Sequence, residues 1–143
     1  MTILNGLKIL DFSSLLPGPL ATMMFADLGA EVIHIESERR VDLMRIMPPY
    51  DEDRESYIHQ HLNRSKKSLQ LNLKSDEGTD IIKKLVQDYD IVIEGFRPGV
   101  MKRLGIDYET LRQINPRLIY CAITGYGQTG PYATRPGHDN NYL

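Results

Sequence analysis

A single cysteine, Cys121, leaves no pairing partner in the 143 residues. A disulfide framework and a cysteine-based zinc site are therefore both excluded within the chain. Charge of one sign is also lacking, because 17 basic and 19 acidic side chains leave a net charge of −2. Nucleic-acid binding normally asks for a basic face or stripe, and the balance offers no electrostatic case for one. No stretch approaches the ~18 apolar residues of a membrane span. The opening Met1-Thr2-Ile3-Leu4-Asn5-Gly6-Leu7-Lys8 has neither the basic region nor the long apolar region of a signal peptide. Internal repeats and low-complexity tracts are missing too. The expectation is a soluble cytoplasmic protein with no nucleic-acid and no membrane partner.

What is present suits one globular domain: 41% of the residues are hydrophobic and 25% are charged. Short apolar runs alternate with helical patterns, divided by glycine, proline and polar clusters. Residues 7–11 read as a buried strand, and residues 20–28 as a helix entered through Pro17-Gly18-Pro19 and closed by Gly29. Residues 31–36 form a second strand rich in β-branched side chains. Residues 37–67 are polar, charged and aperiodic, and read as a long excursion. Strand alternation returns at 68–73, and Ser75 caps a helix running to about 88 whose apolar face carries Ile81, Ile82, Leu85 and Val86. A strand at 91–93, a short helix through Leu104, another at 108–114 and a last strand at 118–123 complete the order. Strands joined by helical crossovers predict an α/β fold, a Rossmann-like parallel sheet with helices on both faces. In such sheets ligands gather at the carboxyl ends of the strands, and every unusual loop of this chain follows a strand.

The turn after the first strand has one glycine between two prolines, where a dinucleotide fold would carry Gly-x-Gly-x-x-Gly. This argues against a nicotinamide or flavin cofactor. The same turn is equally consistent with a plain proline-initiated helix start. Arg97 and Arg103 follow the strand at 91–93, and Arg39, Arg40 and Arg45 follow the second strand. Forked guanidinium donors at such an edge suit a phosphate-bearing ligand, although each arginine taken singly reads as a solvated surface charge. Phe96 and Tyr126 are aromatics on ligand-edge loops, suited to wall a base or an apolar tail or to pack on the core. His59 and His61 have no carboxylates at metal spacing and read as exposed or structural, and His34 as a core or edge residue inside its strand. No metal site is predicted.

The most informative stretch is Thr124-Gly125-Tyr126-Gly127-Gln128-Thr129-Gly130-Pro131-Tyr132, followed by Gly137-His138-Asp139-Asn140-Asn141-Tyr142. A polar glycine-rich loop that carries chemistry needs packed elements on both sides. The expectation is therefore the front part of a longer enzyme, cut inside an active-site loop. His138 stands beyond the sheet edge, where an imidazole can act as acid or base or serve as an ordinary hydrogen-bond donor. Asp139 is placed to orient it or to cap a following helix.

Taken in order, the segments Gly6-Leu7-Lys8-Ile9-Leu10-Asp11, Pro17-Gly18-Pro19, Ala26-Asp27-Leu28-Gly29-Ala30-Glu31-Val32-Ile33, Asn72-Leu73-Lys74, Glu94-Gly95-Phe96-Arg97-Pro98-Gly99 and the Thr124 to Pro131 loop resemble family III coenzyme A transferases over nearly the whole chain. Within that family, Gly137-His138-Asp139-Asn140-Asn141-Tyr142 is similar to the alpha-methylacyl-CoA racemase branch. The resemblance implies that residues 1–143 are the N-terminal, CoA-binding, Rossmann-like part of a large domain. A second domain and a C-terminal return segment would lie outside them, in an interlocked homodimer. It implies coenzyme A as part of an acyl-CoA thioester substrate, with no prosthetic group. CoA contacts are expected from Pro17, Arg39, Arg40, Leu71, Asn72, Leu73, Lys74, Gly95, Phe96, Arg97, Arg103, Thr124, Gly125 and Tyr126. Many relatives carry arginine directly after the second strand, where this chain has Ser37, so Arg39 or Arg40 is expected to supply that charge.

In a racemase, His138 would move the proton alpha to the thioester carbonyl on one face, supported by Asp139. The family's catalytic aspartate, beyond Leu143, would serve the other face. In the alternative, a CoA-transferase, that aspartate would attack the acyl-CoA and carry covalent intermediates. A third reading is an inactive CoA-binding fragment. The isolated 143 residues are expected to expose an apolar sheet flank and to show no turnover.

Overall fold

Lys8-Ile9-Leu10-Asp11-Phe12 forms the central strand of a five-stranded, wholly parallel sheet. The computed structural model describes residues 2–37, 40–137 and 141. Its strands are β1 (Lys8–Phe12), β2 (Glu31–Glu36), β3 (Lys67–Gln70), β4 (Ile91–Glu94) and β5 (Ile119–Ala122), in the spatial order β3-β2-β1-β4-β5. On one side Leu10 stands opposite Ile33, and on the other opposite Val92. Strand order therefore reverses between β1 and β4. That reversal opens the crevice in which α/β sheets of this kind hold ligands.

Period-two alternation assigns the strand residues to two faces. Ile9, Val32 and Ile93 pack with Ala26 of the helix α1 (Pro17–Asp27). Leu10, Phe12 and Val92 pack instead with Ile82 of α3 (Asp76–Leu85), Met101 of α4 (Val100–Arg103) and Leu111 of α5 (Tyr108–Ile114). Helices on both faces leave β1 buried on each side, which is why it reads as a near-continuous apolar run.

Local chemistry sets the helix ends. Pro17 begins α1, where its missing N–H has no intrahelical partner to lose. Gly29, at a left-handed φ of 98°, closes the helix with its N–H on Ala26 O at 2.9 Å. The hydroxyl of Ser75 accepts from Gly78 N at 3.1 Å to cap α3. Asp76 and Glu77 in the first turn of α3, and Lys83 and Lys84 in its last, complement the helix dipole.

The stretch at 37–67 corrects the expectation of an irregular excursion. A 3₁₀ turn at Leu43–Ile46 and a seven-residue helix, α2 (Tyr57–Asn63), lie within it, and Tyr50 bridges antiparallel to Ser56. Their apolar content is too sparse to print a helical period. Leu62 and His59 carry the buried face of α2, while Leu43, Ile46, Met47 and Tyr57 remain exposed. On the outer strand β5, Ile119 is 59% exposed and Cys121 is also exposed. No helix among the described residues is long and apolar enough to cross a membrane.

Candidate functional site

Two turns leave the sheet beside the crevice. The first, residues 13–16, follows β1 and holds Leu15 at a left-handed φ of 66°, a costly conformation for a side chain of its size. Its N–H reaches the Asp42 carboxylate at 3.2 Å. Gly18 is required here by space, because a Cβ would stand 2.2 Å from Ser13 Cβ. The second turn follows β4. Glu94, 4% exposed, accepts from Phe96 N at 2.7 Å. Burial raises the carboxyl of Glu94 above the ordinary range, and the bond from Phe96 only partly opposes this. The two turns abut, since a Cβ on Gly95 would meet Ser13 Cα at 3.6 Å.

Below the first turn lies a buried ionic cluster. Asp11, fully buried, accepts from Ser13 N at 2.9 Å, from the hydroxyls of Ser13 and Thr22, and from Lys66 Nζ at 3.3 Å. His34 Nδ1 stands 3.6 Å away. Burial pushes the Asp11 carboxyl up, but His34, Lys66 and Ser13 outweigh it and hold the group at about 2. Lys66 is pulled below the ordinary lysine range by burial, with Asp11 opposing. The ammonium also donates to Pro19 O at 3.0 Å and to Asn63 Oδ1 at 3.2 Å, so all three of its donors have acceptors.

The expected CoA residues fall into groups. Leu73, Lys74 and Arg103 meet in a cleft of about 230 Å³, together with Ser75, Asp76 and Thr79 at the start of α3. Two basic side chains thus share one cleft with the Asp76 carboxylate, and their combined charge suits phosphate. Leu71 is buried in the core and Asn72 Oδ1 accepts from Lys74 N at 3.2 Å, so both shape the loop from within. Gly99, at φ 83°, opens α4 and turns Arg103 back toward its own start: a Cβ on Gly99 would stand 3.7 Å from Nη1. Phe96 packs partly on the core, while Gly95, Arg97, Pro17 and Arg40 are exposed or nearly so.

In the glycine-rich loop, Thr124 is half-buried and Gly125 exposed. The rings of Tyr126 and Tyr132 stand 5.8 Å apart, and Arg135 lies 4.6 Å over Tyr132. Arg39, His138 and Asp139 lie outside the described residues.

Sequence reasoning missed the Asp11, His34 and Lys66 cluster and the buried Glu94. An acidic residue inside an apolar strand run was the available signal for Asp11 and Glu94. Lys66, next to Lys67, looks like any solvated basic pair. His59, read as exposed or structural, proves structural: it is 6% exposed on α2, and its Nε2 is buried without a hydrogen-bonding partner among the described residues. A second cleft, of about 260 Å³, is lined by His34, Glu36, Arg45, His59 and Lys66. Burial and the nearby Arg45 charge lower the pKa of His59. A histidine depressed in the folded state adds stability above its unfolded value near 6.5, and that stability is lost as pH falls below it. Thermal unfolding of the chain should therefore show a fall in midpoint between about pH 7 and 5 that is shallower in His59→Gln. Equal slopes would mean the imidazole titrates as it does in the unfolded chain.

The model of CoA-transferase family III matches residues 4–143. Human succinyl-CoA:glutarate CoA-transferase is 45% identical over 136 residues, covering 95% of this chain and 31% of that protein. Acetyl-CoA:oxalate CoA-transferase of Acetobacter aceti is 44% identical over 135 residues, covering 94% of this chain and 34% of that one. Among solved structures, a CAIB/BAIF family protein from Brucella suis superposes with a TM-score of 0.90 at 41% identity, covering 97% of this chain and 38% of that one. The chain spans about a third of the length of the curated relatives it matches.

Proposed function

The chain belongs to CoA-transferase family III, and on that premise we propose that it is the CoA-binding part of an enzyme that transfers coenzyme A from an acyl-CoA thioester to a free carboxylic acid, most simply a short dicarboxylic acid. The observation that carries the reading is the cleft in which Leu73, Lys74 and Arg103 meet beside the capped start of α3. The two cationic side chains there suit the phosphates of CoA, with Asp76 the one opposing charge in the lining, and CoA needs no further cofactor to carry an acyl group. Relatives named for glutarate and oxalate support a dicarboxylic acid as acceptor. The nucleophilic carboxylate that transfer requires is assigned to no residue of this chain. CoA enters as substrate, and the expected home is the cytoplasm, as part of a dimer.

The Gly137-His138-Asp139 segment supports a second reading, racemisation of a 2-methylacyl-CoA, in which His138 exchanges the alpha proton. The relatives' names favour transfer. Two measurements decide. Calorimetric titration of this chain with CoA should give binding that weakens about tenfold in Lys74→Ala and again in Arg103→Ala, each tenfold step being about 1.4 kcal/mol. Unchanged affinity in both variants would remove the cleft from the CoA site. In a full-length enzyme bearing these residues, label should pass from succinyl-CoA to free glutarate without deuterium entering the alpha carbon of 2-methylacyl-CoA. The reverse result would establish racemisation.

A further inference from the structure

We propose that the buried Asp11 and Lys66 pair is a positioning device, which holds the turn at residues 13–16 in the crevice so that it receives the pantetheine and thioester end of CoA. The inference rests on the CoA reading above. Lys66 Nζ joins three separate elements: Asp11 on β1, Pro19 in the first turn of α1, and Asn63 at the end of α2. Asp11 passes that constraint on, through Ser13 N and the Ser13 hydroxyl, to the turn itself. Thr22, one turn along α1, donates to the same carboxylate.

The turn is tied to the buried Asp11 yet presents apolar side chains to solvent. Leu15 sits in a left-handed conformation, and Leu15 and Leu16 are 43% and 49% exposed. Apolar side chains held at a ligand crevice in strained backbone suit the aliphatic arm of a ligand better than they suit water. A buried ion pair is a poor way to gain stability, because well-packed apolar residues of similar volume often do as well or better. Its geometric effect remains: four donors converge on one carboxylate and fix the backbone beside it. The phosphate cleft draws on Lys74, in the loop between β3 and α3, and on Arg103, the last residue of α4. The two ends of CoA would thus be held by separable parts of the protein.

That separation supplies the test. The chain and its Asp11→Asn/Lys66→Met variant, in which no buried charge is left unpaired, are titrated with CoA and with adenosine 3′,5′-bisphosphate, the nucleotide end alone. The variant should bind CoA about tenfold more weakly while its affinity for the bisphosphate stays within about twofold. Amide hydrogen exchange at residues 13–16 should also quicken. A role confined to overall structure would weaken both ligands together, and that outcome overturns the proposal, as does unchanged CoA affinity. Should the variant not fold, Ser13→Ala leaves the ion pair intact and carries the same comparison. If the unaltered chain binds neither ligand, the CoA reading fails on its own account. Quickened exchange at residues 13–16 would then show only that the pair holds the turn, and the inference that the turn receives CoA falls with that reading.

Discussion

Lys66→Met should lower the unfolding free energy by about 3–5 kcal/mol, the cost of leaving a buried carboxylate without its countercharge. The methionine stem replaces the lysine stem, so lost packing is small and the deficit is electrostatic. Asp11 would keep Ser13 and Thr22 as donors but lose the ammonium 3.3 Å away. The Asp11→Asn/Lys66→Met pair should recover at least about half of the loss, because no uncompensated charge remains inside. Urea denaturation at neutral pH measures both variants, and equal losses in the single and double variants would refute the argument. Acid gives an independent check. Asp11 titrates at about 2 when folded, against 3.8 ordinarily. Its contribution is present above the ordinary value and is lost as pH falls through the folded one. The double variant should therefore lose less stability than the unaltered chain between about pH 4 and 2.

Gly78→Val should cost about 3 kcal/mol and weaken CoA binding at the same time. Gly78 is buried in the first turn of α3, and a Cβ there would stand 2.2 Å from Asn72 O and 2.9 Å from Asn72 C. Those atoms are backbone, so no side-chain rotation relieves the contact. Either the helix start moves or the loop carrying Asn72, Leu73 and Lys74 moves. Each choice also strains the bond from Gly78 N to the Ser75 hydroxyl that caps the helix. Thermal unfolding reads the first effect and calorimetry with CoA the second. A variant that unfolds at the same temperature and binds CoA equally well would show that the close approach is not needed.

Element order was legible because the strands are short apolar runs flanked by strong punctuation. Ile91-Val92-Ile93 between Asp90 and Gly95 admits little else, and Ser75 announces α3 through its capping hydroxyl. The helix α2 was not legible. His59 and Leu62 bury one face of only seven residues, too few to establish a period among charged neighbours. The edge loops announced a ligand through glycines and arginines. That Lys74 and Arg103 share one cleft could not be read, since it depends on how the end of α4 is brought against the loop between β3 and α3. The Asp11 and Lys66 pair is 55 residues apart in sequence. Nothing local at Lys66 distinguishes a strut from a surface charge.

The place of β1 at the centre of the sheet has a kinetic consequence. One of its edges pairs with β2, which follows within about twenty residues, but the other waits for β4, where Leu10 finally meets Val92. At a synthesis rate of ~5–20 residues per second, that edge stays open for about 4 to 16 s on the ribosome. During this interval Ile9 and Leu10 lie on an unpaired apolar strand, the kind of template that captures other nascent chains. Completion of β1 therefore rests on long-range pairing with β4, a kind of contact that forms more slowly than a local helical turn.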